Sequence, residues 1–192
     1  MADKRFQELL ELYDEPFPHI IGPFNLGGDF PATYRFQKSD GFISKLTLSP
    51  TRNGPEYERL MTNSVSWSGI HKLMNEKWYL RLFERIFDVK LTKGWLEFSM
   101  MCLGDHSAPH RDNKDKKVSI ICPMTYSATG TDILVPKVSG LQDYVEDYDK
   151  FSIFKTFEYK PGMALMFKVS DHSWHGVRQV KDRRWGVNIF LA

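Results

Sequence analysis

The chain has 192 residues, 42% of them hydrophobic and 26% charged, the balance of an ordinary globular domain and not of a disordered or membrane-embedded one. Its 26 basic and 24 acidic residues leave +2 and are mixed along the chain, which does not indicate a nucleic-acid partner; no run approaches the ~18 apolar residues that a membrane span needs. A chain this long buries roughly 70% of the surface its unfolded form exposes, so one domain over residues 1–192 needs neither disulfide nor structural metal to hold a core.

The first residues, Met-Ala-Asp-Lys-Arg-Phe-Gln-Glu-Leu-Leu, lack an apolar leader, and the expectation is a cytoplasmic protein. Phe6, Leu9, Leu10 and Tyr13 stand at helical spacing behind Asp3 as N-cap, which predicts a short amphipathic helix over 3–13, ended by Pro16 and Pro18. Residues 17–26 are apolar and extended, and Gly27, Gly28 and Pro31 mark a loop. Helical periodicity returns over 56–87, with Tyr57, Leu60 and Met61, then Leu73, Trp78, Leu80 and Phe83; one or two helices fit. After Lys93 it disappears. Short β-rich runs then alternate with turn residues: 95–103, 108–112, 117–122, 132–138, 151–159, 163–169, 174–180 and 185–191, separated by Gly104, Asn113, Gly130, Gly140, Pro161-Gly162 and Asp171. Eight such strands predict a closed barrel or jelly roll, supported by the helical and entry-strand segment 1–94. Pro123 follows directly on the 117–122 run, in what should be a central strand, and predicts a bulge or an edge there. Cys102 and Cys122 lie in apolar stretches with no Cys-x-x-Cys spacing, which predicts two buried thiols in a reducing compartment.

Chemistry first shows at Pro109-His110-Arg111-Asp112. In a strand, residues two apart share a face, so His110 and Asp112 could grip one ion. Six His and fourteen Asp give roughly 0.4 His-x-Asp pairs by chance, so the pair alone reads as a solvated His and a turn Asp. Trp174-His175-Gly176-Val177, in another short strand near the end, changes that reading. Two His and one carboxylate make a facial triad: they occupy one face of an octahedral ion, leave the other open and suit Fe(II).

On these residues the sequence resembles the 2-oxoglutarate and Fe(II)-dependent oxygenase superfamily, over at least residues 95–191. Gly104-Asp105-His106-Ser107-Ala108-Pro109-His110-Arg111-Asp112 is similar to the family's Gly followed by His-x-Asp. Lys117 to Pro123 and Gly130-Thr131-Asp132-Ile133-Leu134 match the next strand pair. Lys160-Pro161-Gly162-Met163-Ala164-Leu165-Met166-Phe167 resembles the Pro-Gly turn and apolar strand before the distal His. Val177, Val180 and Arg184-Trp185-Gly186 resemble the terminal stretch, and Glu15-Pro16-Phe17-Pro18-His19-Ile20-Ile21 looks like a frequent entry strand.

The resemblance implies a double-stranded β-helix, a cupin-like jelly roll supported by α-helices, with Fe(II) on His110, Asp112 and His175 and with 2-oxoglutarate and O₂ as co-substrates. It implies hydroxylation of an unactivated C–H bond, with release of succinate and CO₂; Asp112 fills the place that halide takes in related halogenases. Arg184 has a physical reason of its own, since a guanidinium can make a two-pronged bond to the distal carboxylate of 2-oxoglutarate. Arg183 competes, but neighbours on a strand face opposite sides. Many prolyl hydroxylases of the superfamily carry Lys at this place.

Where relatives often have a Tyr before the Gly, this chain has Met100, Met101 and Cys102, so the second co-substrate contact is open, with Tyr126 and Thr131 as candidates. His172 is three residues from His175 and faces away in a strand; His19 and His71 read as structural. Trp174, Trp185, Phe167 and Phe190 read as core. The substrate, a small molecule or a protein side chain, would be selected by segments 27–56, 104–109 and 138–150, the last made acidic by Asp143, Glu146, Asp147 and Asp149. The oligomeric state is open. A cupin-type metal-binding protein and a non-catalytic jelly-roll module are the competing readings.

Overall fold

The strands of this protein are apolar on one side and polar on the other, and the architecture follows from where each side goes. The structure, a computed structural model, describes residues 11–39 and 43–192. Its elements in chain order are β1 (Glu11–Tyr13), β2 (His19–Pro23), β3 (Gln37–Ser39), β4 (Lys45–Leu48), α1 (Gly54–Asn63), α2 (Val65–Leu73), α3 (Lys77–Phe87), β5 (Gly94–Met101), β6 (Ser107–His110), β7 (Val118–Pro123), β8 (Ser127–Pro136), β9 (Phe151–Tyr159), β10 (Met163–Lys168), β11 (His175–Val177) and β12 (Arg184–Leu191). Two antiparallel sheets form a double-stranded β-helix. The larger has the order β1-β2-β10-β7-β12-β5-β4-β3, the smaller β6-β11-β8-β9.

Along β12, Val187, Ile189 and Leu191 point to one face, joined by Leu96 and Phe98 of β5 and by Val118, Ile120 and Cys122 of β7. The three helices cover this face with Tyr57, Leu60, Trp67, Leu80, Phe83 and Phe87, and Trp67 meets Phe98 edge-on at 4.8 Å. The alternate residues, Arg184, Gly186, Asn188 and Phe190 on β12 with Glu97, Ser99 and Met101 on β5, point toward the smaller sheet. Ile133 and Phe157 of the smaller sheet close one end of that interior against Ile21, Leu165 and Phe167. The period of two thus separates a dry core from a polar interior.

Several elements differ from the sequence-based expectation. Residues 3–10 of the predicted first helix lie outside the described residues, and 11–13 form a strand: the turn at Pro16 and Pro18 folds Glu11–Tyr13 back onto His19–Ile21, where the open edge of β2 supplies backbone partners. The 56–87 region is three helices, broken where Ser64 accepts a hydrogen bond from the Trp67 amide and caps α2. β3 and β4 lie in a segment read as loop, too short to show a clear alternation. Gly130 is no separator; it sits inside β8 beside a register shift, where any β-carbon would collide with the Phe157 carbonyl of β9. Pro123 is at neither bulge nor edge. It ends central β7, past Ile121, the last residue registered with β10, so its missing N–H is not needed on that side. Among the described residues no helix is long and apolar enough to cross a membrane.

Candidate metal centre and its cavity

His110 and His175 are direct cross-strand partners on β6 and β11, which puts their rings side by side, 4.2 Å between centroids. Asp112 joins them differently from the sequence expectation. β6 ends at His110, so Asp112 lies past the strand in irregular chain, before a turn at 114–115, and its carboxylate is held by Lys116 Nζ at 2.7 Å on Oδ1 and Ser119 Oγ at 2.6 Å on Oδ2. One ligand atom from each of the three lies within 4.8 Å of the others, a group that could hold a metal ion.

The tautomers are settled by partners that can only accept. His110 Nδ1 donates to the Ala108 carbonyl at 2.8 Å and His175 Nδ1 to the Ser173 carbonyl at 3.0 Å, so each Nε2 keeps its lone pair. Burial, aided by the neighbouring His175, pushes His110 down to about 3, and burial lowers His175 as well; both rings are neutral near pH 7. Burial alone would raise the Asp112 carboxyl, but Lys116, His175 and His110 together hold it well below its ordinary range. The result is two neutral nitrogens and a carboxylate oxygen, a donor set that fits Fe(II). Tyr144 lies parallel to His110 at 5.4 Å and Phe167 packs on His175 at 4.8 Å, which fixes both rings.

Arg184 lines the same cavity of about 150 Å³. It is only 6% exposed. Its Nη2 donates to Thr131 Oγ1, its Nη1 reaches Met101 Sδ at 3.3 Å, and its Nε has no partner. The guanidinium stacks 3.9 Å above the Tyr159 ring, yet among the described residues no carboxylate lies within ion-pair distance of it. A buried cation without an anion is costly, and a carboxylate-bearing ligand would complete it. Tyr159 can reach there because residue 186 is glycine: a β-carbon would collide with Tyr159 Oη and lie 3.0 Å from the Cys122 carbonyl oxygen. Burial pushes the Tyr159 phenol up to about 12, so it stays a hydrogen-bond donor.

The remaining expectations separate cleanly. His172 is exposed and lines none of this cavity, and Arg183 stacks outward on Trp185. Of the two candidate second contacts, Thr131 lines the cavity and Tyr126 is 76% exposed. His19 is buried beside Tyr13, with Nε2 unpartnered, away from the cavity. Phe190, read as core, lines the cavity and carries the Lys116 ammonium 3.4 Å above its ring. In the acidic 143–149 stretch, Asp143 pairs with Arg111 and Asp147 caps a 3-10 turn. Sequence reasoning missed Lys45, Arg52, Glu97, Lys116, Tyr144 and Tyr159. Asn188 and Phe190 had a signal, since they share the parity of Arg184 on one strand.

No protein-family model matches the chain, and no curated protein matches it in sequence. In structure it is similar to a prolyl-4-hydroxylase from Pseudomonas putida, with a TM-score of 0.56 and 12% identity over 81% of this chain and 76% of that one. An oxidoreductase of the 2OG-Fe(II) oxygenase family from Burkholderia pseudomallei aligns with a TM-score of 0.45 and 15% identity, over 98% and 77% of the two chains. A prolyl hydroxylase from Trichoplax adhaerens aligns at 0.48 and 11%, over 82% and 70%. The last two are too loose to carry an argument. The chain has a 2-oxoglutarate/Fe(II) oxygenase-like fold. At 12% identity the likeness speaks of fold and leaves the activity to the site.

Proposed function

We propose that the protein is an Fe(II)- and 2-oxoglutarate-dependent oxygenase that hydroxylates an unactivated C–H bond. The observation that carries this reading is the pairing, in one cavity, of a His-Asp-His group with free Nε2 lone pairs and a buried guanidinium that has no carboxylate beside it among the described residues. His110, Asp112 and His175 would hold the ion, and Arg184 with Thr131 the distal carboxylate of the co-substrate. When bound, the iron and 2-oxoglutarate supply the O₂-dependent oxidation that releases succinate and CO₂. The chain's own part is to position and to shield. The Ala108 and Ser173 carbonyls aim the imidazoles, Lys116 and Ser119 aim the carboxylate, and Tyr159 supports the guanidinium from below.

The test is an anaerobic titration of 2-oxoglutarate into the Fe(II)-loaded protein, followed by succinate release in air. Saturable binding with succinate formation supports the reading. Iron binding without either would favour a cupin-type metal protein, and no iron binding a non-catalytic module.

A further inference from the structure

The lining of the cavity is strongly polar. Four cations line it, Lys45, Arg52, Lys116 and Arg184, against the two carboxylates Glu97 and Asp112, which leaves +2. Ferrous ion adds two charges and 2-oxoglutarate removes two, so the surplus survives loading. Two cations are matched by geometry: Lys45 Nζ sits 2.7 Å from Glu97 Oε1, and Lys116 Nζ 2.7 Å from Asp112 Oδ1. Lys45 and Lys116 outweigh burial and hold the Glu97 carboxyl below its ordinary range, so that wall stays ionised.

Arg52 has no such match. Its guanidinium donates to the buried Ser39 hydroxyl, and among the described residues no carboxylate lies within ion-pair distance. Arg52 is exposed, as is Tyr144, so the two mark the opening of the cavity, and Tyr144 lies flat against His110. Among the described residues, therefore, one guanidinium at the buried end and another at the entrance have no carboxylate beside them, with the triad in the same cavity. A guanidinium fork oriented by a hydroxyl matches a carboxylate in shape and charge, and a cavity with surplus positive charge concentrates anions.

We infer that the primary substrate carries a carboxylate that Arg52 binds at the entrance while the C–H bond to be oxidised lies past Tyr144, beside the triad. The inference rests on the oxygenase reading above. The carboxylate has two sources with the same chemistry, a free small acid or an aspartate or glutamate side chain of a polypeptide.

The test uses the full chain, loaded anaerobically with Fe(II) and saturating 2-oxoglutarate so that Arg184 is occupied. The common amino acids and linear monocarboxylic acids are titrated by calorimetry, each beside its carboxamide. A short peptide with an internal aspartate is titrated beside its asparagine counterpart. One or more acids should bind roughly ten-fold or more tightly than the matched amides, as for a lost charge-assisted bond. Arg52→Gln should abolish that preference and leave the 2-oxoglutarate titration unchanged; Arg52 is exposed, so the variant should fold, which circular dichroism checks. Binding by free acids alone assigns the small-molecule source, and binding by the aspartate peptide alone the side-chain source. The inference is overturned if amides bind as well as acids, if neither acids nor the aspartate peptide bind, or if Arg52→Gln keeps the preference. Failure of the oxygenase reading shows separately, because the Fe(II) protein would then not take up 2-oxoglutarate at all, and the inference would fall with it.

Discussion

Replacing Arg184 by alanine is the most informative perturbation, because the His-Asp-His group could serve several chemistries but a buried guanidinium with no carboxylate beside it among the described residues asks for an anion. The side chain is 6% exposed and already oriented by Thr131, Met101 and the Tyr159 ring, so little ordering entropy remains when a carboxylate arrives. A charge-assisted bond under these conditions is worth about 1.5–3 kcal/mol, and each 1.4 kcal/mol is tenfold. Arg184→Ala should therefore weaken 2-oxoglutarate roughly ten- to hundred-fold while iron affinity holds, and Arg184→Lys should lose less because it keeps the charge without the fork. The free protein should respond with the opposite sign. Desolvating an unpaired polar group costs about 1–3 kcal/mol and the contact with Tyr159 returns about 0.5–2, so Arg184→Met should raise the stability of co-substrate-free protein by about 1 kcal/mol. The assay is an anaerobic titration followed through the metal-to-ligand absorption band, with urea unfolding of the free forms. Arg183→Ala is the control, since that residue stacks outward on Trp185. An unchanged titration curve for Arg184→Ala would refute the argument, and a loss confined to Arg183→Ala would move the site by one residue.

Other outcomes follow from the same geometry. His110→Ala, Asp112→Ala and His175→Ala should each sharply reduce Fe(II) binding in equilibrium dialysis while near-native circular dichroism persists, whereas exposed His172→Ala should bind iron normally; loss of folding in all three would point to a structural ion. Gly186→Ala should cost about 1–3 kcal/mol by forcing Tyr159 aside, and Tyr159→Phe in that background should restore part of it; an additive pair of losses would contradict the contact. In metal-free protein, His110 binds its proton at about 3 when folded against 6.5 when unfolded. The unfolded state thus holds more protons in that window, and stability should fall as pH drops from 6.5 toward 3. Urea midpoints that stay level over that range in wild type, or fall equally in His110→Ala, would contradict it.

The parts of this fold that were legible are those written in short-range order. His110, Asp112, His175 and Arg184 stand out because residue type and spacing carry them, and the strands of the second half because turn residues bracket them. The reason for the approach of Asp112 was not legible: β6 stops at His110, and the carboxylate is placed by Lys116 and Ser119, whose roles depend on the turn between them. Tyr159 and Gly186 are 27 positions apart, and only the register of two sheets shows that one makes room for the other. Likewise Lys45 meets Glu97 because β4 pairs with β5, and β4 is too short to announce itself. Gly130 was misread because glycine signals both turns and close backbone approach, and sequence alone does not say which.

The alternation along β12 has a consequence for how this protein can change. Arg184, Asn188 and Phe190 line the cavity, while Val187, Ile189 and Leu191 belong to the core under the helices, so one strand serves two independent texts printed on opposite sides of a page. Substitutions at Val187, Ile189 or Leu191 can retune the core without rewriting the pocket, and exchanges at Asn188 or Phe190 can reshape the pocket without loosening the core. Insertion or deletion of one residue does neither: it turns the page, presents aliphatic side chains to the triad and carries the guanidinium out to the helices. Variation in length should accordingly gather in the connecting segments, and variants selected for altered substrate choice should accumulate along this strand at intervals of two.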